Sequence, residues 1–109
     1  MDDIQKLLKN YNNQIQKLFT ELKKLIYESV TSDIDEKLWA KLPSYYIGEK
    51  FVRLLPFKDH INVEAEAILN HEADLEQFKI TPKGMLQIYP AQDLPCDVLK
   101  IIFSETLIR

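Results

Sequence analysis

A chain of 109 residues holds one domain, 1–109, because a second core would leave neither half enough apolar surface. Its 46% hydrophobic and 28% charged residues suit a folded globular domain, while a net charge of −3 excludes the basic face of a general nucleic-acid binder. Cys96 is the single cysteine, which rules out an intramolecular disulfide and a cysteine-based zinc site; with an acidic opening and no apolar run of membrane length, the expectation is a cytoplasmic protein without a membrane span.

Residues 1–30 read as an amphipathic helical region. Ile4, Leu8, Tyr11, Ile15, Leu18, Leu22 and Leu25 fall at alternating steps of four and three, which draws one stripe down a helix. An unbroken helix over 3–30 would run about 40 Å, too long for a small domain to cover. Two resolutions are open. Asn10, Asn12 and Asn13 break it into a lead helix and a main helix near 13–30, or the stripe overhangs and pairs with a second copy, making a homodimer instead of a monomer.

After the cap cluster Thr31-Ser32-Asp33, the pattern predicts a short helical turn over Asp35–Lys41, ending before Pro43. The period then changes to that of strands: Tyr45–Ile47, a turn at Gly48-Glu49, Phe51–Phe57, a turn at Lys58-Asp59, and His60–Glu64. Pro56 implies a bulge or an unpaired position at the end of the middle strand. Residues 66–78 return to helical spacing, with Ile68, Leu75 and Phe78 on one face. The turn Thr81–Gly84 leads into a strand at Met85–Tyr89. A last helix opens at Pro95, with Val98, Leu99, Ile102 and Phe103 as its buried stripe. The order helix, three strands, helix, strand, helix predicts an α+β single-domain sandwich of helices on an antiparallel sheet.

No motif positions catalytic groups, so an enzyme is not expected. Ser29, Ser32, Ser44 and Ser104 lack a Gly-x-Ser-x-Gly context, and Gly48 and Gly84 alone cannot build a phosphate loop. Cys96 stands beside Asp97, which opposes a thiolate, and reads as a small semi-buried residue. The charge is unevenly placed: residues 64–76 hold Glu64, Glu66, Glu72, Asp74 and Glu76 with no Lys or Arg, so the rest of the chain carries +2. Carboxylates are hard ligands for Ca²⁺, Mg²⁺, Mn²⁺ or iron, and an exposed array of them binds weakly and exchangeably. On composition alone a solvated helix face explains the stretch better. His71, in register with Ile68 and Leu75, reads as a packed histidine, and His60 as a strand residue beside Lys58 and Asp59.

Four segments carry a likeness beyond these patterns: Lys41-Leu42-Pro43-Ser44-Tyr45, Pro56-Phe57-Lys58-Asp59-His60-Ile61, the run Phe78 to Gln87 with Thr81-Pro82-Lys83-Gly84 at its centre, and Leu94-Pro95. From Leu38 onward the chain resembles the YdhG-like family, small bacterial proteins that include an intracellular iron chaperone described as a frataxin homologue. Lys41 and Asn62 stand where that family favours glycine. The resemblance implies a frataxin-like sandwich and a protein that binds iron weakly through surface carboxylates and delivers it to an assembly system. Iron would be the cargo, an iron-sulfur or haem assembly protein the partner, and Glu64, Glu66, Glu72, Asp74 and Glu76 the ligands. The alternative is a metal-independent interaction or small-ligand module built on Lys58, His60 and Lys83.

Overall fold

The N-terminal stripe is resolved by a break. In the computed structural model, which describes residues 3–108, α1 spans Asp3–Leu8 and α2 spans Asn13–Glu28. Asn12 makes the division: its Oδ1 accepts from the Ile15 amide at 2.9 Å, capping α2, and its Nδ2 donates to the Lys58 carbonyl at 3.1 Å. Such a cap stabilises a helix by about 1 kcal/mol. Ile4, Leu8, Ile15, Leu18, Leu22 and Leu25 are all buried in the chain's own core, so the stripe is occupied internally.

The segment expected to be a helical turn is a strand. β1 covers Asp35–Trp39 and pairs antiparallel with β2, Leu42–Ile47, in the register Trp39↔Leu42 and Asp35↔Tyr46. Alternation explains it: Glu36 and Leu38 turn toward the helices, where Glu36 meets Lys23 of α2 at 2.9 Å, while Asp35, Lys37 and Trp39 point the other way. The hairpin closes through Ala40 and Lys41, both left-handed at φ 50° and 68°. That geometry belongs to Asn-Gly or Gly-Gly turns, and Ala-Lys carries no such signal.

β3 (Lys50–Pro56) and β4 (Ile61–Ala65) follow close to their expected positions, with Gly48 at φ 62° in the turn before β3. Pairing of β3 with β2 ends at Ser44↔Arg53, so Pro56 has no ladder partner on that side and its missing N–H costs nothing there. Residues Glu66–Leu75 are not the regular helix expected over 66–78. They form two 3₁₀ pieces joined at His71, whose φ of −129° is non-helical. β5 (Lys79–Ile80), too short to show in the sequence, and β6 (Leu86–Ile88) complete a six-stranded antiparallel sheet ordered β1-β2-β3-β4-β6-β5. α3 runs over Cys96–Ile108.

The helices occupy one face of this sheet. The inward side chains of the strands, among them Tyr45, Val52, Leu54, Ile61, Val63 and Leu86, are buried in one core with the apolar residues of α1, α2 and α3. Each fully buried aliphatic side chain contributes about 1.5–3 kcal/mol, so this single layer dominates stability. The opposite face, carrying Trp39, Tyr46, Phe51, Arg53, Leu55, Asn62 and Glu64, adds nothing to that core.

Candidate binding face

The uncovered face holds a charged group in an unusual setting. Arg53 occupies an outward position of the central strand β3, yet it is only 5% exposed. Each of its nitrogens donates: Nε to Ser44 Oγ at 2.8 Å, Nη1 to Glu64 Oε1 at 3.2 Å, and Nη2 to Tyr46 Oη at 2.8 Å. Its guanidinium carbon lies 4.2 Å from the centre of the Trp39 ring and 4.0 Å from that of Phe51. Removing a guanidinium from water costs several kcal/mol, and this one is offset by an ion pair, two neutral hydrogen bonds and two ring contacts worth about 0.5–2 kcal/mol each. The strands supply each contact by register, since Ser44↔Arg53, Arg53↔Glu64 and Tyr46↔Phe51 are cross-strand neighbours. The outcome is a rigid aromatic platform. Trp39 remains 53% exposed at its edge, and Lys37 sits 4.6 Å over the Tyr46 ring beside it.

One cavity borders the platform at Phe51 and Glu64, and a second adjoins the first across Leu69, Lys83 and Gly84, which line both. Gly84 stands at φ 86°, a conformation that suits glycine, and the turn is tied by bonds from the Thr81 amide to the Met85 carbonyl (2.8 Å) and from the Met85 amide to Thr81 Oγ1 (3.1 Å). The first cavity, about 280 Å³, is lined by Phe51 and Glu64 of the platform, by Thr106 of α3, and by Glu49, Lys50, Glu66 and Lys83. Because Glu64 is committed to Arg53, the groups free to meet a ligand are two carboxylates and two ammonium groups. The second cavity, about 590 Å³, lies over Leu75, Phe78 and Ile80, with Glu72 and Glu76 on its rim.

The five acids proposed as metal ligands are therefore divided. Glu64 and Glu66 line the first cavity, Glu72 and Glu76 the second, and Asp74 lies 3.7 Å from His71 Nδ1. Among the described residues, no group of three or more His, Cys, Asp or Glu side chains is gathered so that it could hold a metal ion. His71 itself bridges the 3₁₀ segment to α3, with Nε2 2.9 Å from Glu105 Oε1, as expected of a packed histidine.

Lys58, His60 and Lys83 do not converge. His60 stacks on Phe57 with ring centres 4.6 Å apart, leans on Tyr89 at 5.4 Å, and meets Asp59 Oδ1 through Nδ1 at 2.7 Å. With Lys58 it belongs to the turn before β4. Lys83 precedes β6, and because Ile61 pairs with Ile88 and Val63 with Leu86, the Lys83 turn lies at the far end of β4. Only Lys83 borders the cavities described above. Reasoning from sequence missed Arg53, Trp39 and Phe51. A basic residue inside the apolar run Phe51-Val52-Arg53-Leu54-Leu55 was the available signal, since an arginine that interrupts a strand needs partners. Compared with family models, with curated proteins and with solved structures, the chain matches none of them.

Proposed function

We propose that this chain is a non-catalytic binding module that works through the uncovered face of its sheet, holding a small polar ligand in the cavity beside the Trp39–Arg53–Phe51 platform without needing a metal. One observation carries this reading: a guanidinium is buried and fixed on a face that contributes nothing to the core, where it holds an exposed tryptophan still. A core has no use for that arrangement, whereas recognition gains from side chains locked before the ligand arrives. The cavity, about 280 Å³, falls just under the range of small-molecule sites, which run from about 300 Å³ upward, and its two carboxylates and two lysines suit a small metabolite bearing both signs of charge. Trp39, the only tryptophan, does not line the cavity but stacks on Arg53, which also meets Phe51 of the cavity wall, so its emission reports on the site through that stack. A screen of small, ultraviolet-transparent zwitterions and amides read by Trp39 emission should yield saturable binders that Glu66→Gln and Lys83→Ala weaken; saturable binders indifferent to both variants, or none, would remove the reading.

Iron carriage, the function implied by the YdhG-like resemblance, is the second reading. Its support is the resemblance itself together with two uncommitted carboxylates, Glu49 and Glu66, that line one cavity without forming a gathered metal group; iron would be held there weakly and passed to an iron-sulfur or haem assembly protein. Anaerobic calorimetry with ferrous ion separates the two. Binding abolished by Glu64→Gln with Glu66→Gln would support iron at this cavity. Binding abolished only by changing Glu72, Asp74 and Glu76 would move it to the 3₁₀ segment, and no heat would leave the small ligand alone.

A further inference from the structure

The second cavity has the makings of a docking groove. Leu69, on its crest, is 58% exposed, the most exposed large apolar side chain among the described residues. Behind it the floor is apolar, formed by the buried Leu75 with Phe78 and Ile80, and Glu72 and Glu76 stand on the rim. Neither carboxylate takes part in any ion pair among the described residues, although the rest of the chain carries an excess of bases. Lys83 is the one base lining the groove. An apolar floor inside an unneutralised acidic rim is complementary to an apolar side chain flanked by cations.

We infer that this groove receives a segment of a partner protein in which a leucine, methionine or phenylalanine is flanked by lysine or arginine. The anchor would cover Leu69 and fill the space over Leu75 and Phe78, and the flanking cations would answer Glu72 and Glu76. Other occupants fit less well. Anionic lipid headgroups and nucleic acid would meet carboxylates, and a second copy docking through the same groove would oppose its acids to their own counterparts. The groove shares Leu69, Lys83 and Gly84 with the first cavity, and the two readings are separated by Glu72 and Glu76, which line the groove alone.

The test is fluorescence anisotropy with labelled peptides carrying a central leucine, methionine or phenylalanine, flanked by lysine and arginine, by serine, or by glutamate. The basic set should bind and the other two should not, with affinity falling as salt rises. Leu69→Ser should weaken binding by about tenfold, as loss of a central apolar anchor does. Glu72→Gln with Glu76→Gln should weaken it by about fivefold and flatten the salt dependence. Ile101→Ser, which removes an exposed apolar side chain of α3, serves as the control and should leave it unchanged. All four substitutions in these three variants lie at exposed positions, so a urea midpoint close to wild type verifies folding. Absence of binding by the basic set, equal binding by the serine set, or indifference to Leu69→Ser would overturn the inference, and none of these results bears on ligands read at Trp39.

Discussion

Arg53 shows how a single side chain can organise a surface. Its contacts reach β1 through Trp39, β2 through Ser44 and Tyr46, and β4 through Glu64, so one guanidinium ties four strands on the side that has no core. Lysine keeps the charge but has neither the planar fork nor the ring stacking. Arg53→Lys should therefore destabilise the protein by about 2 kcal/mol, a value discounted because the Glu64 side chain is about a third exposed, and should shift Trp39 emission; urea unfolding monitored at Trp39 measures both. On the helical side, Tyr27 is held above its ordinary value of 10.0 by burial first and by the Glu36 carboxylate second, with Lys23 pulling it back. The folded state thus keeps the phenol proton more tightly than the unfolded chain. That contribution is complete below about pH 10 and declines as pH rises through the raised value, so stability should fall in that range and fall less steeply in Tyr27→Phe. The partners of Arg53 could not be named from sequence, because they lie on neighbouring strands and depend on a register that the missed β1 helps to set.

At the scale of elements, legibility followed local chemistry. The break before α2 was readable because Asn12 is a strong cap, and the turn at Gly48 was readable because glycine tolerates positive φ. The β1–β2 hairpin was hidden: Asp35–Lys41 follows a cap cluster, contains helix-forming Glu, Lys, Leu and Ala, and turns through two residues that do not favour the turn's geometry. The tertiary pairing overrides local preference there at a cost of about 1–2 kcal/mol for each left-handed residue. Lys41→Gly should relieve part of that strain and raise stability by about 0.5–1 kcal/mol after the added freedom of the unfolded chain is subtracted, which a urea midpoint would register. In the 64–76 stretch, spacing set Glu72 and Glu76 on one helix face and Glu64 and Glu66 at the strand-to-helix junction. Glu64, on β4, and Glu66 line the first cavity and Glu72 and Glu76 the second, while the helix expected between them is two 3₁₀ pieces joined at His71.

For the whole molecule, the asymmetry of the sheet is the organising fact. Length and composition predicted one domain and the order of elements predicted the α+β class, which the structure has, but no periodic pattern announced that all the helices would lie on one side. What remains is a face bearing a buried arginine and an exposed tryptophan, with one cavity reaching it at Phe51 and Glu64 and a second over the core residues Leu75, Phe78 and Ile80, on a protein whose negative charge is concentrated beside them. The most direct test of this account is the map of amide shifts in the ¹⁵N spectrum of the wild-type protein as the binders found through Trp39 emission are added. The account predicts shifts clustered at the Trp39 indole, Phe51, Glu64, Glu66, Lys83 and Thr106, with the surfaces of α2 and of the first half of α3 silent. Shifts confined to those surfaces, or to the Phe57–His60 turn, would contradict it.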